Sequence, residues 1–305
     1  MAKQIKLEGI ILPMPTSFDE DGEVAYDALR ENLSRWNKFD LVGYVALGST
    51  GEAVHLSESE KLRIIEVARE NIPQDRTMIV GTGMPSTRET ISFTRRATEL
   101  GADAAMVITP YYYRSQMKHE AYVHHYTMVA EGSTIPILIY TVPQLTGVTI
   151  DPSTVAVLAQ HENIIGIKES SGNFGELTEL LRLTPPDFNV LIGSAPILYP
   201  GLAIGAIGAV LAVACVVSQT CIDIFKAFHE GDHSQAKVLQ QRLSPVATAV
   251  TTSFGISGLK AAMDMFGYYG GPPRSPLRTP SDAVRAEIAK IFRESGLIEE
   301  LKPRY

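Results

Sequence analysis

Eight short apolar runs recur roughly every 25–35 residues through the first two-thirds of the chain, with a helical pattern in each gap. They cover 9–14, 42–47, 78–80, 104–108, 136–140, 164–168, 189–192 and 209–213. Several are apolar throughout and rich in β-branched residues, the pattern of strands covered on both faces in a parallel sheet. The intervening segments predict helices over 26–38, from Ser57 with Glu60 completing a capping box, and from Ser86 or Thr87 to Leu100. Further helices are expected over 119–130, from Asp151-Pro152 onward, and over 174–183. About eight such units close a sheet, so the expected fold class is α/β, a (β/α)8 TIM barrel. A doubly wound open sheet is the rival, but no GxGxxG follows the first strand. After Gln219 the strand pattern stops, and 221–230, 235–251, 258–266 and 281–295 read as helices. The expected organisation is a barrel over 1–217 and an appended C-terminal helical bundle over 218–305.

A net charge of −7 over 305 residues offers no basic face for nucleic acid, and no cluster of lysine or arginine marks a membrane patch. Residues 188–222 contain no Asp, Glu, Lys or Arg, long enough for a membrane span. Pro196, Pro200, Gly201, Gly205 and Gly208 cut that stretch into short pieces, so it is expected to form barrel wall. Cys215 and Cys221 lack metal or redox spacing and read as buried thiols of a reducing compartment. The opening Met1-Ala2-Lys3-Gln4 leads into no apolar signal core, and a cytoplasmic location is expected.

In such a barrel the C-terminal strand ends form the reactive face. The polar residues there are Ser49, Thr50, Tyr111, Tyr112, Tyr140, Lys168, Ser170 and Ser194. The set lacks the carboxylate cluster that magnesium needs and the histidine spacing of a zinc site. His124 and His125 are neighbours on a helix and point different ways. His55 is expected to cap or solvate the loop after the second strand. Lys168 ends an apolar strand, and desolvation there favours a free amine able to attack a ketone. A solvated pair with Glu169 is the alternative. Gly48-Ser49-Thr50-Gly51-Glu52 joins strand to helix, where successive amides can cradle an anion or simply turn the chain. Tyr140 puts a phenol at the next strand end, either to exchange protons or as a core residue.

Together GSTGE at 48–52, TPYYY at 109–113, YTVPQLTG at 140–147 and GIKES at 166–170 resemble the pyruvate-dependent class I aldolases of the dihydrodipicolinate synthase and N-acetylneuraminate lyase superfamily. The likeness runs from about Gly9 to beyond Leu297. It implies that Lys168 forms a Schiff base with pyruvate and that Tyr140, Ser49 and Tyr112 relay protons, Tyr112 arriving from a neighbouring subunit. Ser49, Thr50 and Gly51 would hold the pyruvate carboxylate, with Ser170, Gly193, Val210 and Leu145 completing the substrate pocket. No metal or organic cofactor is implied, and the expected assembly is a homotetramer, a dimer of dimers. The partners would be 2-keto acid and aldehyde substrates.

Within the superfamily, GADAAMVITPYYYR at 101–114, HHYTMVA at 124–130 and FGISGLKAAMDMFGYYGGPPRSPL at 254–277 are most similar to 4-hydroxy-2-oxoglutarate aldolases. The expected reaction is therefore cleavage of 4-hydroxy-2-oxoglutarate to pyruvate and glyoxylate. That type has asparagine where Thr50 stands, and the synthase branch has arginine where Leu145 stands. Leucine cannot make the arginine's carboxylate contact. The alternatives are 4-hydroxy-tetrahydrodipicolinate synthase, a 2-keto-3-deoxy sugar-acid or N-acetylneuraminate-type aldolase, and a catalytically silent keto-acid binding protein. The intact Lys168, Tyr140 and Ser49 weigh against silence.

Overall fold

A computed structural model describes residues 5–297, so the opening Met1–Gln4 and the last residues of the expected extension lie outside the described residues. Eight parallel strands close into a barrel in chain order: β1 (Gly9–Pro13), β2 (Gly43–Ala46), β3 (Thr77–Gly81), β4 (Ala104–Ile108), β5 (Ile137–Thr141), β6 (Ile164–Glu169), β7 (Asn189–Ile192) and β8 (Gly208–Val210). The barrel helices are α1 (Tyr26–Trp36), α2 (Glu58–Asn71), α3 (Thr87–Glu99) and α4 (His119–Gly132). They continue with a short α5 (Pro143–Thr146), then α6 (Pro152–Leu158), α7 (Phe174–Leu183), α8 (Leu198–Ala203) and α9 (Ala214–His229). Ser57 and Glu60 form the expected reciprocal capping box on α2, and Ser86 rather than Thr87 caps α3.

Two apolar layers hold the barrel. Side chains alternate along a strand, so one set fills the interior and the other meets the helices. The interior set includes Ile11, Val45, Ile79, Met106, Leu138, Tyr140, Leu191 and Val210. The larger outer layer runs between strands and helices and includes the fully buried Trp36.

β8 is shorter than expected, and α9 begins at Ala214 rather than 221. The stretch Ala214–Val217, half of it β-branched valine, looks like strand by composition, yet it winds into the helix packed against β1. The expected division at 217 falls inside α9, at a kink where Val217 leaves helical geometry (φ −120°, ψ 51°). The extension continues through α10 (His233–Thr248), a π-turn over Ala249–Ser253, α11 (Gly255–Met265) and α12 (Asp282–Glu294). Cys215 and Cys221 are buried free thiols. Among the described residues, no helix is long and apolar enough to cross a membrane.

Candidate active site

Gly166 and Lys168 are two apart on β6 and share its inward face. Gly166 has no room for a Cβ, which would collide with the backbone oxygen of Asn189. Strand register sets Tyr140 of β5 directly beside Lys168. The Lys168 Nζ lies 4.3 Å from the centre of the Tyr140 ring. Only 5% of Lys168 is exposed, and burial alone pushes its pKa down to about 7. Near neutral pH, therefore, a large share of this amine is unprotonated and nucleophilic.

Glu169 faces the opposite way and is also buried. Its Oε1 accepts a 2.5 Å hydrogen bond from the Ser171 amide, and burial raises its carboxyl pKa. The alternative of a solvated Lys168–Glu169 pair is not what the fold contains.

The Tyr140 hydroxyl is 3.1 Å from Ser49 Oγ. Burial pushes the phenol pKa up, and the nearby Ser49 and Ser170 hydroxyls oppose that rise. Tyr140 is thus held as a neutral phenol, a proton donor at physiological pH. The Ser170 Oγ is buried without a hydrogen bond of good geometry among the described residues. Gly193 makes room for it, since a Cβ there would overlap that oxygen.

Ser49–Gly51 forms a single 3-10 turn. Its Gly51 and Glu52 amides bond back to Gly48 and Ser49, leaving the Ser49 and Thr50 amides without backbone acceptors among the described residues. Thr16 Oγ1 donates a 2.6 Å bond to the Gly51 carbonyl, and a Cβ at Gly51 would come within 3.0 Å of Met14 O. Leu47 and Glu52 bracket the loop with left-handed φ values of 57° and 51°. Side chains disfavour that region, so tertiary contacts must hold both ends. At one end the Leu47 carbonyl packs where a Cβ of Gly81 would sit.

At the other end stands a buried charge cluster that sequence reasoning missed. Lys260 Nζ of α11 pairs with Glu52 Oε1 at 2.7 Å, both side chains being only 1% exposed. The ammonium also donates to Pro272 O at 2.9 Å and lies 4.4 Å over the Phe18 ring. The Arg274 amide donates to Glu52 Oε2 at 3.0 Å, with His55 Nδ1 3.2 Å from the same oxygen. The Arg274 guanidinium grips both oxygens of Glu60, at 2.6 and 2.9 Å, and holds that carboxyl down at about 2. Lys260 and Arg274 lie in the quoted 254–277 stretch, but nothing in their spacing points to a partner about two hundred residues earlier.

The remaining expected residues divide. Val210 is buried in the interior set with Tyr140 and Leu191. Leu145 is 65% exposed on α5 at the barrel mouth. Tyr112 is 78% exposed, edge-on to Tyr113 at 5.1 Å, and has no hydrogen bond to Ser49 within its own chain. Thus Lys168, Tyr140, Ser49, Ser170 and Gly193 come together while Tyr112 stays outside. His125 is buried against Thr87 Oγ1 at 2.9 Å, and burial lowers its pKa to about 4. Among the described residues, no group of three or more His, Cys, Asp or Glu side chains is placed to hold a metal.

Comparison with known proteins supports the same architecture. The family model for the dihydrodipicolinate synthetase family matches residues 6–295. A 4-hydroxy-tetrahydrodipicolinate synthase of Methanothrix thermoacetophila is 36% identical, over 93% of this chain and 95% of that one. A protein of the same name from Archaeoglobus fulgidus is 34% identical over 95% and 99%. Among solved structures, dihydrodipicolinate synthase DapA-2 of Bacillus anthracis superposes with a TM-score of 0.91 at 28% identity, covering 95% of this chain and 99% of that one. YagE of E. coli K12, a prophage protein of the dihydrodipicolinic acid synthase family in complex with pyruvate, gives 0.90 at 27%, with the same coverage. The chain belongs to the dihydrodipicolinate synthetase family, and is a carbon–carbon lyase of the pyruvate-dependent class I aldolase type.

Proposed function

We propose that Lys168 is the Schiff-base residue, and that the protein joins pyruvate to a second, aldehyde-bearing substrate. The observation that carries this reading is a buried amine, its pKa lowered to about 7, beside a hydrogen-bonded Tyr140–Ser49 pair. The amine adds to the C2 ketone of pyruvate, water leaves with a proton from Tyr140, and an iminium results. Loss of a C3 proton gives an enamine, whose C3 attacks the aldehyde carbon. Hydrolysis then frees the product and restores the amine. The iminium is itself the electron sink, so this chemistry asks for no metal or organic cofactor. The free amides of Ser49 and Thr50 hold the pyruvate carboxylate, and Gly193 leaves Ser170 room at the carbonyl. Exposed Tyr112 joins the relay from a neighbouring subunit of a dimer of dimers.

For the aldehyde, the best-supported reading is aspartate semialdehyde, the 4-hydroxy-tetrahydrodipicolinate synthase reaction. Full-length relatives at 34–36% identity carry that name. They displace the expected 4-hydroxy-2-oxoglutarate cleavage to second place. One observation keeps it there: Leu145, exposed at the mouth, stands where the synthase branch has arginine. The test is a panel of glyoxylate, aspartate semialdehyde, glyceraldehyde and N-acetylmannosamine with pyruvate, comparing kcat/KM. Aspartate semialdehyde should lead, with glyoxylate next. A lead of about tenfold or more for glyoxylate, about 1.4 kcal/mol of transition-state preference, would establish the second reading. A lead for N-acetylmannosamine would sink both.

A further inference from the structure

Both aldehydes in that reading carry a carboxylate, and the charge distribution of the barrel mouth is specific about what can meet it. The loops that follow the eight strands cover residues 14–25, 47–57, 82–86, 109–118, 142–151, 170–173, 193–197 and 211–213. Across all eight, the only lysine or arginine residues are Arg114 and Lys118, both in the fourth. Lys118 sits at the very start of α4, while Arg114 follows the exposed Tyr112 and Tyr113. Among the described residues, Lys260 and Arg274 also reach these loops, and they are already engaged with Glu52 and Glu60.

The Arg114 guanidinium crosses from the fourth loop to the fifth. It lies against Gly147, where an added Cβ would be 2.8 Å from both Cζ and Nη1. Gly147 ends α5 with φ +68°, two residues after Leu145. Glycine there allows both the left-handed turn and the close approach of the guanidinium. The two strands concerned, β4 and β5, are neighbours, and β5 carries Tyr140 beside Lys168. A planar guanidinium is also the group best suited to a carboxylate, which it binds through two parallel hydrogen bonds.

We propose that Arg114, held over Gly147, binds the carboxylate of the aldehyde substrate and makes the enzyme select aldehydes that carry an anionic group. It supplies from the fourth loop the contact that Leu145 cannot supply from the fifth. The inference rests on the aldolase reading above. Arg114 determines specificity and takes no part in bond making.

The experiment uses a matched pair of acceptors. Glyoxylate carries a carboxylate where glycolaldehyde carries a hydroxymethyl group, and each is tested with pyruvate on the full chain. Arg114→Met should lower kcat/KM for glyoxylate by about ten- to a hundredfold, the worth of one charge-assisted contact, and move glycolaldehyde far less. Arg114→Lys should recover part of the lost preference, because it keeps the charge but not the fork. An equal loss on both aldehydes would overturn the proposal, assigning Arg114 to loop shape or subunit contact. So would an unchanged preference for glyoxylate. Borohydride trapping of pyruvate on the unaltered protein is run alongside. A failure of trapping removes the aldolase reading itself, whereas successful trapping with no change of preference removes only the role of Arg114.

Discussion

Replacing Lys260 by methionine is expected to destabilise the fold by about 3–5 kcal/mol, the usual effect of leaving one member of a buried ion pair alone. The pair is dry on both sides, so Glu52 would keep a buried charge without its 2.7 Å partner. Glu52 also sits in left-handed backbone geometry at the end of the loop proposed to hold the pyruvate carboxylate. The loop should therefore lose its place along with the stability. Removing both charges in Glu52→Gln with Lys260→Met should recover a good part of the folding loss, since no lone buried charge remains. It should recover less of the pyruvate affinity, because the left-handed turn still lacks its anchor. Denaturant unfolding reads the first effect, and the pyruvate concentration that half-saturates trapping reads the second. A single variant within about 1 kcal/mol of the unaltered protein, the value of an exposed pair, would show that this cluster does not clamp the loop.

Tyr140→Phe should slow turnover by about 10²–10⁴-fold, the range for losing a positioned proton donor. The ring is kept, so packing over Lys168 Nζ survives and the fold should be little changed. What disappears is the neutral phenol that burial maintains and Ser49 orients at 3.1 Å. Imine formation with pyruvate should still reach completion, more slowly, because the Lys168 amine is unaltered. Stopped-time assays on turnover and on trapped pyruvate separate the two. Turnover within about tenfold of the unaltered enzyme would fall below that range and remove Tyr140 from the proton path.

The barrel was legible because most strands are short, apolar and bounded by turn chemistry, as β4 is between Asp103 and Thr109. Helix starts at Ser57, and the end of α7 at Leu183, followed from capping and amphipathic pattern alone. The start of α9 did not, because Ala214–Val217 is small or β-branched and its helicity comes from packing on β1. In the site, Lys168, Tyr140 and Ser49 could be placed together because strand ends in a closed barrel converge on one face. The loop strain at Leu47 and Glu52 is a property of φ values and leaves no trace in residue type, both positions being non-glycine. Lys260 reads in sequence as one lysine on an amphipathic helix. Its burial depends on how the C-terminal extension folds back onto Phe18 and Glu52, in the loops after β1 and β2, information that no local spacing carries. Arg114 was visible as a residue, but its approach to Gly147 required the neighbouring strands to be set side by side.

The central claim is a covalent imine at Lys168, and borohydride reduction in the presence of pyruvate tests it most directly. Peptide mass analysis should find the reduced pyruvyl adduct on the peptide that holds Lys168 and on no other, with Lys168→Ala giving none. The pH dependence adds a second check with a fixed sign. Burial lowers the amine's pKa to about 7, so trapping should slow as pH falls through that value and level off above it. An adduct that persists in Lys168→Ala, or unaltered protein that traps no pyruvate on either side of pH 7, would contradict the account.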